Sequence, residues 1–214
     1  MSDLGLDAAV AWVRDGRVLA YPTETLWGLG GRAQDAQAVE RLQRAKGRAG
    51  DAPISILVPA PGSLASLGFD LDPTAEAVAA RFWPGPLTLV LPCRGRFGPG
   101  IARADGAVGV RCSPHPEAMA LARACEDAGL GPLTATSCNR SGEPAAERRE
   151  DARRFAETDS EVAVLDGAPD APPTGTPRPA STVLDLTAPR ARVLRWGAIP
   201  ETELSPLLEE LAAA

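Results

Sequence analysis

Short apolar runs alternate with amphipathic helical stretches along this whole chain, and few folds accommodate that order. Residues 17–21, 53–58, 87–91, 107–112, 132–138 and 162–165 each read as strands. Asp3 is expected to cap a first helix that carries Leu6, Ala9, Val10 and Val13 on one face and ends at Gly16. Asp35 is expected to cap a second helix with Val39, Leu42 and Ala45 on one face, and Asp72-Pro73 to open a third that runs to about Phe82. Further helices are predicted over 117–128, over about 150–157, and from Pro200 onward with Leu204, Leu207, Leu208 and Leu211 inward. Residues 181–187 and 191–196 read as paired strands, because the three-residue link 188–190 is too short for a parallel crossover. The expected class is therefore α/β with a mixed sheet. Neither a repeat nor a break in composition divides the chain, so residues 1–214 are read as one unit. The Pro-, Ala- and Thr-rich stretch 168–180 reads as a loop, and its length makes it a candidate lid over a site.

Composition narrows the function classes. The formal charge is -6, from 22 basic and 28 acidic residues, so broad gripping of a nucleic-acid backbone is disfavoured. Aromatic residues make up 4%, which is poor provision for base stacking. The N-terminus shows no basic, apolar leader and no run is long enough for a membrane helix, so a cytoplasmic protein without a membrane is expected. Cys93, Cys112, Cys125 and Cys138 lie far apart, which fits reduced buried thiols and neither a zinc site nor a disulfide framework. No phosphate-binding G-x-x-x-x-G-K-[ST] occurs, and the one histidine, His115, leaves no His-based triad to build.

What remains is a set of short polar patches at strand ends. In Tyr21-Pro22-Thr23-Glu24-Thr25-Leu26-Trp27, an extended backbone would point Tyr21, Thr23, Thr25 and Trp27 one way and Glu24 the other. Two hydroxyls between two aromatics suit a small polar ligand, and equally an ordinary threonine-rich strand. Lys46 is the chain's one lysine. Lys46-Gly47-Arg48 reads as a phosphate clamp or as a solvated basic helix end. As an exposed cation, Lys46 is expected to contribute little to stability. Ser137, Asn139 and Ser141 alternate after an apolar strand and offer neutral donors and acceptors, or simply make a turn. Arg111 ends a strand, where it serves an anion or a surface ion pair. Ser181-Thr182 and the downstream Arg195-Trp196-Gly197 complete the set.

Taken in order, YPTETLWGLGG, KGR with PISILV, WPGPLTLVLP, VGVRCSPHP, PLTATSCNRSGEPA, STVLDL and VLRWGAI resemble the YrdC-like family, over about residues 20–199. The family's best-understood members are threonylcarbamoyl-adenylate synthases. The resemblance implies a twisted mixed sheet flanked by helices, with a large concave basic cavity. It also implies a reaction of L-threonine, bicarbonate and ATP that gives threonylcarbamoyl-AMP and pyrophosphate, for modification of tRNA position 37. On that basis Lys46 and Arg48 hold phosphates, and Ser137, Asn139 and Ser141 contact the nucleotide or steady its metal-bound phosphates. Thr23, Thr25 and Ser181 or Thr182 line the threonine pocket. Arg111 meets a carboxylate or bicarbonate, and Arg195 reaches the phosphates from the far rim. Mg2+ is expected mainly through ATP, with no protein ligand assigned, and downstream tRNA threonylcarbamoyl-transfer proteins are the implied partners. Weak RNA binding, or a different carbamoyl-type substrate, is the rival reading. The resemblance is to the short form, without an added C-terminal domain. Trp27, Ala49, Ser113-Pro114 and Cys138 depart from the residues usual at those positions.

Overall fold

A computed structural model describes residues 3–47, 53–167 and 178–213. In chain order these form α1 (Leu6–Arg14), β1 (Val18–Tyr21), β2 (Gly28–Gly30), α2 (Ala36–Ala45), β3 (Ser55–Leu57), α3 (Pro73–Phe82), β4 (Leu87–Pro92), β5 (Ala107–Arg111), α4 (Pro116–Asp127), β6 (Leu133–Ser137), α5 (Arg149–Ala156), β7 (Val162–Val164), β8 (Thr182–Asp185), β9 (Arg192–Arg195) and α6 (Glu201–Ala213). A 3-10 turn at Pro61–Leu67 precedes α3.

The described strands make one twisted mixed sheet in the order β7-β1-β2-β6-β3-β5-β4-β8-β9. The pairs β1–β7, β3–β5 and β4–β8 are parallel and the others antiparallel. β8 and β9 pair antiparallel across the short link, as their spacing predicts.

Helices cover both faces of the sheet, so β1, β4 and β5 read as near-continuous apolar runs, whereas the edge strand β9 is largely exposed. The period-2 alternation of β1 still sorts the core. Val18 and Ala20 pack with α2, α3, α5 and α6, whereas Leu19 and Tyr21 pack with α1 and α4. Among the described residues no helix is long and apolar enough to cross a membrane.

Helix starts follow the expected chemistry at two places. The Asp35 side chain accepts from the amides of Gln37 and Ala38, and that of Asp72 accepts from Ala75. The first helix differs. Its N-cap is Gly5, with no side-chain cap, and Asp3 instead pairs with Arg149 at 3.1 Å and Arg153 at 2.8 Å. Two guanidiniums outcompete amide donors for one carboxylate. β2 was not anticipated, because Gly28-Leu29-Gly30 has no strand signature of its own. The glycines are there for contact. A Cβ on Gly28 or Gly30 would sit 2.9 Å from the Tyr21 ring, which lies across them from β1. The proposed lid falls largely on 168–177, outside the described residues.

Candidate functional site

β1, β3, β4, β5, β6, β8 and β9 contribute side chains to one cavity of about 680 Å3, and β2 contributes the backbone of Gly28. Its walls carry Lys46, Arg103, Arg111 and Arg195 against Glu143, so cations outnumber carboxylates among the described lining residues. Thr23, Thr25, Ser137, Asn139, Ser141 and Ser181 line the same hollow.

One wall is the turn after β1. Its backbone does not stay extended. Thr23 Oγ1 donates to Leu26 O at 2.6 Å and accepts from Thr25 N at 3.2 Å, which folds residues 23–26 into a hydroxyl-closed turn. Thr23, Glu24 and Thr25 therefore share a side, contrary to the alternation expected of a strand. All three accept from Arg111 Nη2, at 3.4, 2.9 and 2.5 Å. Arg111 Nε is buried with no hydrogen-bond partner. The other oxygen of Glu24 accepts from Ser113 Oγ at 2.5 Å. The two aromatics of the turn line the same cavity as the hydroxyls. Tyr21 and Trp27 belong to different halves of the core, and the Tyr21 hydroxyl donates to Thr134 O at 3.0 Å. Burial holds that phenol above its ordinary pKa.

The second wall is the segment after β6. Trp27 and Ala146 grip its backbone: Cys138 N donates to Trp27 O at 2.8 Å, and Ala146 N to Cys138 O at 2.9 Å. Ser137 Oγ donates to Asn139 Oδ1 at 2.6 Å, and Asn139 Nδ2 donates to Glu143 O at 2.7 Å. Lys46, the C-cap of α2, is not an exposed clamp. It is 3% exposed and donates through Nζ to Ser137 O at 2.5 Å, Asn139 O at 2.9 Å and Asn139 Oδ1 at 3.1 Å. Ser141 N closes the loop onto Lys46 O at 2.9 Å. Gly47, at φ +60°, takes the left-handed backbone conformation directly after Lys46. Arg48 lies outside the described residues.

The third wall is β8 and β9. Arg195 donates to Ser181 O at 2.9 Å and Ser181 Oγ at 3.2 Å, and Ser181 Oγ lies 2.9 Å from Thr88 Oγ1. Partial burial, and then the like charge of Arg111, hold the Arg195 guanidinium below its ordinary pKa. The two cations thus feel each other across a space that an anion would relieve. Thr182 stands apart from the cavity. Its hydroxyl, fully buried, donates to Ile199 O at 2.7 Å and accepts from Gly197 N and Ile199 N at 3.0 Å each. Of the pair Ser181 or Thr182, Ser181 is the one that lines the hollow.

Three further residues carry no site signal in the sequence. Strand alternation places Glu24 on the far side, and the turn reverses it. Ser113 stands out only as a departure from the usual residue. Arg103 carries no local mark, since its partners Asp105 (2.5 Å) and Asp185 (2.8 Å) come from a following turn and from β8. A second cavity of about 670 Å3 lies behind the 138–147 segment and shares Asn139, Glu143 and Ala145 with the first.

A family model, Sua5_yciO_yrdC, described as telomere recombination, matches residues 11–197. The threonylcarbamoyl-AMP synthase of Bacillus subtilis is 34% identical over 209 residues, which cover 97% of this chain and 57% of the relative. That of Thiobacillus denitrificans is 36% identical over 185 residues, covering 86% and 92%. A crystal structure of Pyrococcus abyssi Sua5 complexed with L-threonine superposes with a TM-score of 0.80 at 35% identity, over 93% of this chain and 56% of the other. The chain thus spans a little over half the length of the Bacillus and Pyrococcus proteins.

Proposed function

The chain belongs to the Sua5/YciO/YrdC family, and from that premise we propose that it is an L-threonylcarbamoyladenylate synthase acting in tRNA modification. The observation that supports this most is the gathering of Lys46, Thr23, Thr25, Arg111, Ser137, Asn139, Ser181 and Arg195 around one hollow of about 680 Å3. That volume is of the order expected for a small-molecule site.

In the proposed reaction the amine of L-threonine adds to bicarbonate, with loss of water, to give an N-carboxylate. That carboxylate attacks the α-phosphorus of ATP, the bond to the β-phosphate oxygen breaks, and pyrophosphate leaves. The chemistry needs no covalent enzyme intermediate. It needs reactants held in line and positive charge where negative charge gathers. Arg111, fixed by the 23–25 turn, is suited to a carboxylate or bicarbonate. Arg195 and Arg48 are assigned to phosphates. Ser137, Asn139 and Ser141 present hydroxyl and amide groups to the nucleotide, on a loop whose shape Lys46 maintains. Mg2+ would neutralise phosphate charge. Asn139 Oδ1 already accepts from both Ser137 Oγ and Lys46 Nζ, which fits an ion held chiefly by ATP. Product would pass to tRNA threonylcarbamoyl-transfer proteins in the cytoplasm.

The direct test is mass spectrometry after the protein is mixed with ATP, magnesium, L-threonine and bicarbonate. Threonylcarbamoyl-AMP should accumulate with equimolar pyrophosphate. Pyrophosphate release that ignores threonine, or prefers serine or glycine, would overturn the assignment.

A further inference from the structure

We propose that Ser113 is a positioning residue for substrate binding: its hydroxyl locks the Glu24 carboxylate, and Glu24 in turn sets the plane of the Arg111 guanidinium. The inference rests on the synthase reading for the identity of the ligand, and on geometry for the relay itself.

The chain of contacts begins in the backbone. His115 is the N-cap of α4, and its amide donates to Ser113 Oγ at 3.2 Å. Ser113 is 1% exposed, so its hydroxyl proton has to find an acceptor inside the protein. It finds Glu24 Oε2 at 2.5 Å, a charge-assisted bond in which the hydroxyl donates and the carboxylate can only accept. Glu24 Oε1 then accepts from Arg111 Nη2 at 2.9 Å. A carboxylate on a flexible stem is fixed when both of its oxygens are engaged, and here one is engaged by Arg111 and the other by Ser113.

Arg111 depends on that fixity. Its guanidinium donates to this turn through Nη2, which reaches Thr23, Glu24 and Thr25. Thr23 and Thr25 are neutral and share their hydroxyls with each other at 3.1 Å. Glu24 is the charged anchor. Arg111 Nε is buried and without a partner, out of reach of the cavity, whereas Nη1 makes no bond to the 23–25 turn and is the donor left for an anion in the hollow that Arg111 lines. Whether that donor meets the anion squarely is a matter of plane angle, which the Ser113–Glu24 bond controls. Ser113 is not among the residues that line the cavity, and its side chain reaches the site through Glu24.

Ser113→Ala deletes one oxygen and leaves Glu24 Oε2 without its donor. The expected result is a rise of about tenfold in KM for threonine, with KM for ATP within about twofold and kcat little changed. Ser113→Cys, which restores volume with a weak donor, should behave like Ser113→Ala; this keeps the test meaningful if the alanine variant folds poorly. Equal rises for threonine and ATP, or an unmoved KM for threonine, would overturn the proposal. A second readout does not depend on turnover. Nitrogen-15 NMR of the Arg111 guanidinium, assigned by its loss in Arg111→Lys, should show hindered Nη rotation in the wild type and averaged Nη signals in Ser113→Ala. If wild-type protein makes no threonylcarbamoyl-AMP, the synthase reading fails and the NMR comparison still decides the relay: unchanged rotation in Ser113→Ala refutes it.

Discussion

Lys46 concentrates the difference between a residue read as a letter and the same residue in its surroundings. An ammonium group offers three divergent donors on a narrow stem, and the three acceptors it meets are two carbonyls and an amide oxygen of one loop. A planar guanidinium could not satisfy that set, which is a physical reason for a lone lysine in an arginine-rich chain. Lys46→Met is expected to cost about 2–4 kcal/mol, because it strands buried acceptors, and to abolish turnover by loosening the Ser137–Asn139 loop. Urea unfolding checks the first point: a midpoint equal to wild type would restore the exposed-clamp reading. Lys46→Arg should rescue neither property. Thr23→Val illustrates the same shift of role. The hydroxyl both closes the 23–26 turn and contacts Arg111, so its loss should weaken threonine binding more than ATP binding, and titration calorimetry with each ligand separates the two. Thr23, Thr25, Arg111, Ser137 and Asn139 were legible in the sequence because hydroxyls, amides and strand-end cations advertise ligand chemistry. Glu24 and Ser113 were not, because their placement follows from a side-chain-closed turn that overrides strand alternation.

Elements were more legible than their boundaries suggest. Asp35 and Asp72 lead their helices because a carboxylate beside free amides accepts from them, and Asp35 caps through one oxygen while the other pairs with Arg32. Asp3 has better donors in Arg149 and Arg153, residues 146 and 150 positions away, and no local pattern reveals such a competitor. β2 was hidden for a related reason: its glycines answer to a ring on the neighbouring strand. β8 gives the clearest prediction at this scale. Thr182 staples that strand to the 197–199 turn through three hydrogen bonds made by one hydroxyl. Thr182→Val keeps the volume and leaves buried backbone groups unpaired, so a stability loss of about 2–3 kcal/mol is expected, with KM for threonine within about twofold. A selective rise in that KM, without a drop in melting temperature, would return Thr182 to the binding pocket.

At the scale of the whole molecule, ion pairs tie sequence-distant segments together, and this makes acid the condition that should unfold it. Asp3 joins the N-terminal segment to α5, and Asp185 joins β8 to the segment before β5 through Arg103. Burial alone would raise the Asp185 carboxyl. Hydrogen bonds from Thr187 and Arg103 outweigh it and hold the group at about 2. Burial likewise opposes Asp3, whose bonds to Arg153 and Arg149 still bring it below the usual range. An unfolded aspartate takes up its proton near pH 3.9, before the folded one does. Stability from these groups is therefore fully present above about pH 4 and is lost as pH falls toward 2, with a ceiling of about 2 kcal/mol for Asp185. Urea midpoints should be nearly flat from pH 7 to about 4.5 and then decline. Asp185→Asn should start from a lower plateau, because Arg103 loses its charged partner, and should decline less steeply in acid, because one linked proton is gone. Parallel acid slopes for the two proteins would mean that Asp185 takes up its proton alike in both states, and that the Arg103 pair does not tie β8 to the segment before β5.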